Sequence, residues 1–275
     1  MANKGHVTQS QLDKLHKEGA CLTRHQRRAP GNKCSHQWQA QKHAESDPTL
    51  YNYPRYYTLC DWKPGGILAT ALKTVGFPPG YARADLGEWL GKFWRDKPTH
   101  AGKEWDVGKD NNFQHWIKPF WQNAHHIIPN RALASAISDA AKRANEARLI
   151  NLIKQGLLKA EYNLNDEINM VILPMEKIVA AGMALPRHLK RDESGPNEKG
   201  EFFSHADYSK KVEIKLASIM MNYVETLAKA LQEEHEGPPD EISKQQLEDL
   251  SREIYNSLKK SGGFIAGKAL AELKF

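Results

Sequence analysis

The sequence predicts a mainly helical fold with a small β element, and three observations predict it. Val212, Leu216, Ile219, Met220, Tyr223, Leu227 and Leu231 fall on one face of a long helix beginning at Asp207. Leu133, Ile137, Leu149, Ile153 and Leu157, set among many alanines, give 131–160 the same helical period. The clearest strand-like run, Met170-Val171-Ile172-Leu173, is short and stopped by Pro174.

Taken in order, residues 1 to about 60 are polar and basic with little periodicity. Within them, Arg24-His25-Gln26-Arg27-Arg28 and the tyrosines 51, 53, 56 and 57 interleave cations with aromatic rings. Such a segment either tracks a phosphate backbone and stacks on bases or packs irregularly on its neighbour. Pro64-Gly65-Gly66 and Phe77-Pro78-Pro79-Gly80 are turn signals around a short helix at 67–75. Asp85 caps a second amphipathic helix at 85–95. Phe113, Trp116, Phe120 and Trp121 form an aromatic cluster that leads into the paired histidines 125 and 126, and it is expected in the core or as a wall beneath them. Asn163-Leu164-Asn165-Asp166 breaks the 131–160 helix. Pro174 is followed by a short helix ending near Gly182 and then a polar loop from Lys190 to Gly200. Gly237-Pro238-Pro239 stops the long helix. A last helix, with Ile242, Leu247, Leu250, Ile254 and Leu258, follows Asp240 as its cap.

The chain has 275 residues, enough for one large domain or two modest ones with a real core. Its 39 Lys and Arg against 33 Asp and Glu leave a net charge of +6. That balance is compatible with a polyanionic partner. No apolar run approaches the roughly 18 residues of a membrane span. The N-terminus Met1-Ala2-Asn3-Lys4-Gly5-His6 lacks the apolar core of a secretory signal, so synthesis in the cytoplasm is expected. Cys21, Cys34 and Cys60 are too few and too widely spaced for a disulfide framework. They read as unpaired thiols, with a zinc site of Cys21, Cys34, His36 and Cys60 as the alternative. No Walker loop, GxGxxG, HExxH or G-x-S-x-G is present.

The sharpest local signal is Ala124-His125-His126-Ile127-Ile128-Pro129. Of two adjacent histidines, one imidazole can bind a metal while the other stays free as a base. Phosphodiester hydrolysis needs both parts: a cation on the developing negative charge and a base for the attacking water. Downstream lie Asn165-Asp166-Glu167-Ile168-Asn169-Met170-Val171-Ile172-Leu173-Pro174, then Leu185-Pro186-Arg187-His188, then Ser204-His205-Ala206-Asp207-Tyr208-Ser209.

In that order the segments resemble the AHH family of the HNH (ββα-metal) nuclease superfamily, over about 121–217. The resemblance implies a ββα-metal nuclease core embedded in helices, organised as an N-terminal region at 1–110, a nuclease domain at 111–235 and a C-terminal helical extension at 236–275. It implies a metal-dependent endonuclease acting on DNA in preference to RNA, with one divalent ion: Mg²⁺, Zn²⁺, Ni²⁺ or Mn²⁺. By position, His125 would be a metal ligand, His126 the general base and His205 a ligand on the helix that completes the unit. Asn169 would tie the two β elements together, hold His126 in orientation or touch the metal. Many relatives carry a further His four residues before the position of His205, where this chain has Glu201. His188 is the expected replacement, with 190–202 as an insertion that loops out, and Glu201 is the alternative ligand. Asp207 reads as a helix cap and Tyr208 as packing against the site.

The family often forms the toxic tip of secreted bacterial polymorphic toxins. The resemblance therefore implies an antibacterial effector that acts in a target cell, a component of a secretion machine such as type VI, and an acidic immunity protein. An intracellular nuclease of a phage or mobile element, or a non-enzymatic nucleic-acid-binding protein, is the alternative.

Overall fold

The computed structural model describes residues 19–24, 28–51, 107–108, 112–115, 119–120, 122–175, 180, 183–188, 190–191, 203–204, 206–232, 243–261 and 265–275. The described chain is mainly helical, with a small β component. It divides into two compact units. One is Met1–Gln39, His126–Met170 and Asp207–Tyr255, and the other is Ala40–His125, Val171–Ala206 and Asn256–Phe275. The helices expected at 67–75 and 85–95 lie outside the described residues, as does most of the short one before Gly182.

In order, α1 is His36–Ser46, β1 Gln122–His126, α2 Asn130–Arg143, α3 Arg148–Lys159, β2 Met170–Pro174, β3 Lys190–Arg191, β4 Phe203–Ser204, α4 Ala206–Gln232 and α5 Gln245–Lys260. β1 pairs with β2, and β3 with β4.

The single helix expected over 131–160 is two helices. α2 ends where Asn145 takes φ 52°. Asn145 N then donates to Lys142 O at 3.0 Å and Glu146 N to Ala141 O at 3.1 Å. This is the Schellman pair of bonds, which satisfies the last carbonyls of a helix. Glu146 next accepts from Arg148 N at 3.0 Å and so starts α3. The second ending repeats the first. Glu161 takes φ 57°, Glu161 N reaches Leu158 O at 3.0 Å and Tyr162 N reaches Leu157 O at 2.9 Å. Neither stop carries the glycine that usually marks such a cap. Hydrophobic period alone reads through the first, because Leu133, Ile137, Leu149, Ile153 and Leu157 are all buried.

In the same unit α4 buries Val212, Leu216, Met220, Tyr223 and Leu227, as its pattern predicts. It begins at Ala206, so Asp207 lies in its first turn, where a carboxylate favours the helix dipole, rather than at the cap. α5 begins at Gln245 behind Ser243, whose Oγ accepts from Gln245 N at 3.1 Å, so Asp240 is not its cap.

In the other unit, β2 is buried along its whole length. Tyr51 covers one edge of it, since its hydroxyl accepts from Ile172 N at 3.1 Å and donates to Ile172 O at 3.2 Å. Phe113 lies against Tyr51 at 4.7 Å between ring centroids and meets Phe120 edge-on at 5.8 Å, so this half of the aromatic cluster is core. Trp116 and Trp121 lie outside the described residues. Tyr51→Phe would leave a buried N–H and C=O unsatisfied. We expect a loss of about 1–3 kcal/mol, measured by urea denaturation. An unchanged midpoint would show that the hydroxyl carries no stabilising bond.

Candidate functional site

β1 carries both histidines of the pair, and successive residues of a strand point to opposite faces. Their partners differ accordingly. His125 Nδ1 lies 2.9 Å from His188 Nε2, with the rings nearly edge-to-face. The two side chains are 4% and 6% exposed. His188 reaches that place because a backbone ladder holds it. His188 N donates to Pro174 O at the end of β2 (2.8 Å), Arg187 N to Lys268 O (2.8 Å) and Leu270 N to Arg187 O (3.1 Å). The segment after α5 thus forms part of the frame around His188.

The expected segment 190–202 begins with β3 and ends just before β4, and the two strands pair antiparallel with Lys190 opposite Ser204 and Arg191 opposite Phe203. His205 and Glu201 themselves lie outside the described residues. Among the described residues, no group of three or more metal-binding side chains is assembled. The donor chemistry that is present, two imidazole nitrogens converging in a buried position, fits a borderline divalent ion as a partial ligand set. Nitrogens sharing a tetrahedral ion lie about 3.3 Å apart, so the pair would have to open by a few tenths of an ångström.

His126 sits in a different setting. Its Nε2 lies 2.9 Å from Asn165 Oδ1, and His36 stacks on its ring at 5.6 Å between centroids. Burial, opposed by the hydrogen bond to Asn165 and reinforced by the charges of His36 and Arg24, lowers its pKa to about 4. The imidazole is therefore neutral at pH 7, the form a proton acceptor requires.

Asn169 bonds elsewhere. Its Oδ1 accepts from Ile128 N at 2.7 Å and Ser251 Oγ at 3.0 Å, while Nδ2 donates to Ile128 O at 3.2 Å and Leu164 O at 2.8 Å. Of the three roles open to it, these bonds are those of a tie: they join the residues after β1, those before β2 and α5. The Tyr208 hydroxyl, fully buried, donates to Ile127 O and fastens α4 to the same loop.

Cys21 and Cys34 share a hydrogen bond that, with burial, raises the pKa of Cys34 and keeps its thiol protonated. Cys60, the third cysteine of the zinc alternative, lies outside the described residues.

Asn165, His36 and Arg24, which act on His126, and Thr23, which holds Asn165, are the residues that sequence reasoning missed as a set. Asn165 stood in the downstream motif, but only as a helix breaker. Nothing in the spacing marks Thr23 or His36, which lie about 90 residues or more upstream of His126. Set against protein-family models, curated proteins and solved structures, the chain matches none.

Proposed function

We propose that the chain is a metal-dependent endonuclease with a ββα-metal core, in which His126 is the general base and His125 and His188 hold one divalent ion. The observation that carries this reading is the division of the histidine pair. One ring converges on another imidazole, and the other is buried, neutral and bonded to an amide. Such a division matches what hydrolysis of a phosphodiester asks of two adjacent histidines.

His126 would take the proton of the attacking water. The ion, when bound, would supply positive charge to the phosphate oxygens. Asn169 and Tyr208 hold the loop that follows the pair, so His126 keeps its place as the proton moves. His205 is proposed as a further ligand. The register of β3 on β4 supports the reading of 190–202 as an insertion, because it brings the chain beyond His188 beside the chain before His205. The net charge of +6 favours a nucleic-acid substrate, DNA over RNA by the family resemblance, and an acidic immunity protein as partner if the chain is a secreted toxin.

Supercoiled plasmid incubated with the protein and Mg²⁺, Mn²⁺, Ni²⁺ or Zn²⁺ tests the activity. We expect nicking with at least one ion and none with EDTA. Intact plasmid with all four would overturn the reading. Calorimetric titration tests the ligands. His188→Ala should weaken metal binding by at least the roughly 10–100-fold that losing a mere orienting partner of a ligand costs, and more than Glu201→Ala. If Glu201→Ala alone abolished binding, His188 would not be the ligand.

A further inference from the structure

We propose that Asn165 is the positioning residue that fixes the tautomer of His126 and leaves Nδ1 as the nitrogen that accepts the proton. The inference deepens the nuclease reading and rests on it for the identity of the proton. The Asn165 amide is fully buried and can sit only one way round.

Asn165 Nδ2 donates to Thr23 O at 2.9 Å and to Cys21 Sγ at 3.5 Å. Turned over, Oδ1 would face the Thr23 carbonyl, acceptor against acceptor. The backbone N–H of Asn165 is held too, by Asn163 Oδ1 at 2.9 Å. The group facing His126 is therefore Oδ1, which can only accept. Nε2 must carry the hydrogen of that 2.9 Å bond. A neutral imidazole has one N–H, so Nδ1 keeps its lone pair.

The partner that orients the amide is itself fixed. Cys21 N donates to Tyr162 O at 2.9 Å and Leu164 N to Cys21 O at 2.7 Å, so the segment runs beside Tyr162–Leu164 as a parallel bridge. This presents the Thr23 carbonyl to Asn165. His36, stacked on the imidazole, restrains the ring plane. The logic is that of a base aligned by a third group, with an amide and a backbone carbonyl in place of a carboxylate. A carboxylate would draw the proton onto the imidazole; the amide orients the ring and adds no charge.

The test reads the tautomer directly. Long-range ¹H–¹⁵N correlation spectra of the full chain are recorded at neutral pH with EDTA, and the His126 signals are assigned by their loss in His126→Ala. We expect the Nε2–H form in the unmodified protein. In Asn165→Leu we expect a mixture of tautomers, a kcat lowered roughly 10–100-fold as for a misplaced reacting group, and KM and metal affinity unchanged. An Nδ1–H form in the unmodified protein overturns the proposal, and that result stands even if Asn165→Leu does not fold. An unchanged tautomer and rate in a folded Asn165→Leu protein also overturns it. The two readings separate cleanly. An Nε2–H form without cleavage under any of the four ions sinks the nuclease and leaves the tautomer assignment standing. Cleavage with an Nδ1–H form does the reverse.

Discussion

His126→Ala is expected to lower nicking by roughly 10²–10⁴-fold, the usual cost of removing a general base, while the protein stays folded and still binds metal. The expectation rests on the separation of the two histidines. Nε2 of His126 meets Asn165 and Nδ1 of His125 meets His188, so the loss of the first contact should leave the second in place. Truncation leaves Asn165 Oδ1 without its donor, a cost of about 1–3 kcal/mol, small against the roughly 5–15 kcal/mol of a typical domain. Circular dichroism and a metal titration of the variant would establish fold and binding, and plasmid nicking would give the rate. Near-normal cleavage by a folded His126→Ala protein would remove His126 from the chemistry and with it the proposed mechanism.

The second large effect is on stability. Asn169→Ala removes an amide that is 1% exposed and satisfies four groups: the N–H and C=O of Ile128, the C=O of Leu164 and the hydroxyl of Ser251. At about 1–3 kcal/mol for each buried group left unsatisfied, the loss should exceed about 4 kcal/mol and bring a typical domain to the edge of folding. Asn169→Asp should fare no better. It keeps an acceptor for Ile128 N and Ser251 but turns a carboxylate oxygen toward two carbonyls, where the native side chain donates. Urea denaturation of both variants checks this. A midpoint within experimental error of the unmodified protein would mean that Asn169 is not the tie between these elements.

Which parts of this molecule were legible in its sequence depends on where the information sits. The helical class, β2 with its stop at Pro174 and the buried face of α4 were legible because each is a local repeat of apolar residues. The break between α2 and α3 was not. Its cause is backbone: Asn145 adopts a positive φ with no glycine to announce it. Of the candidate site, His125 and His126 stood out as a pair in the residues themselves, while His188 and Asn169 were expected from the family resemblance; the structure brings His188 to His125. The pairing of His126 with Asn165 was hidden. Asn165 and Asn169 are the same residue type, four positions apart, and spacing cannot say which one faces the ring. The hydrogen bonds of the folded chain decide between them, since Asn169 is consumed by Ile128, Leu164 and Ser251 while Asn165 has an oxygen left for His126.

The Cys21–Thr23 segment also bears on how such a protein is inherited. A recombination event with breakpoints on either side of 111–235 would carry the paired histidines into a new gene. It would leave behind the Thr23 carbonyl that turns the Asn165 amide toward His126. The hybrid would hold the motif but lose the part of its support encoded far upstream, and selection would have to find another acceptor for Asn165 Nδ2. The smallest heritable unit for this histidine is therefore longer than its recognisable signature, and it starts at or before Cys21.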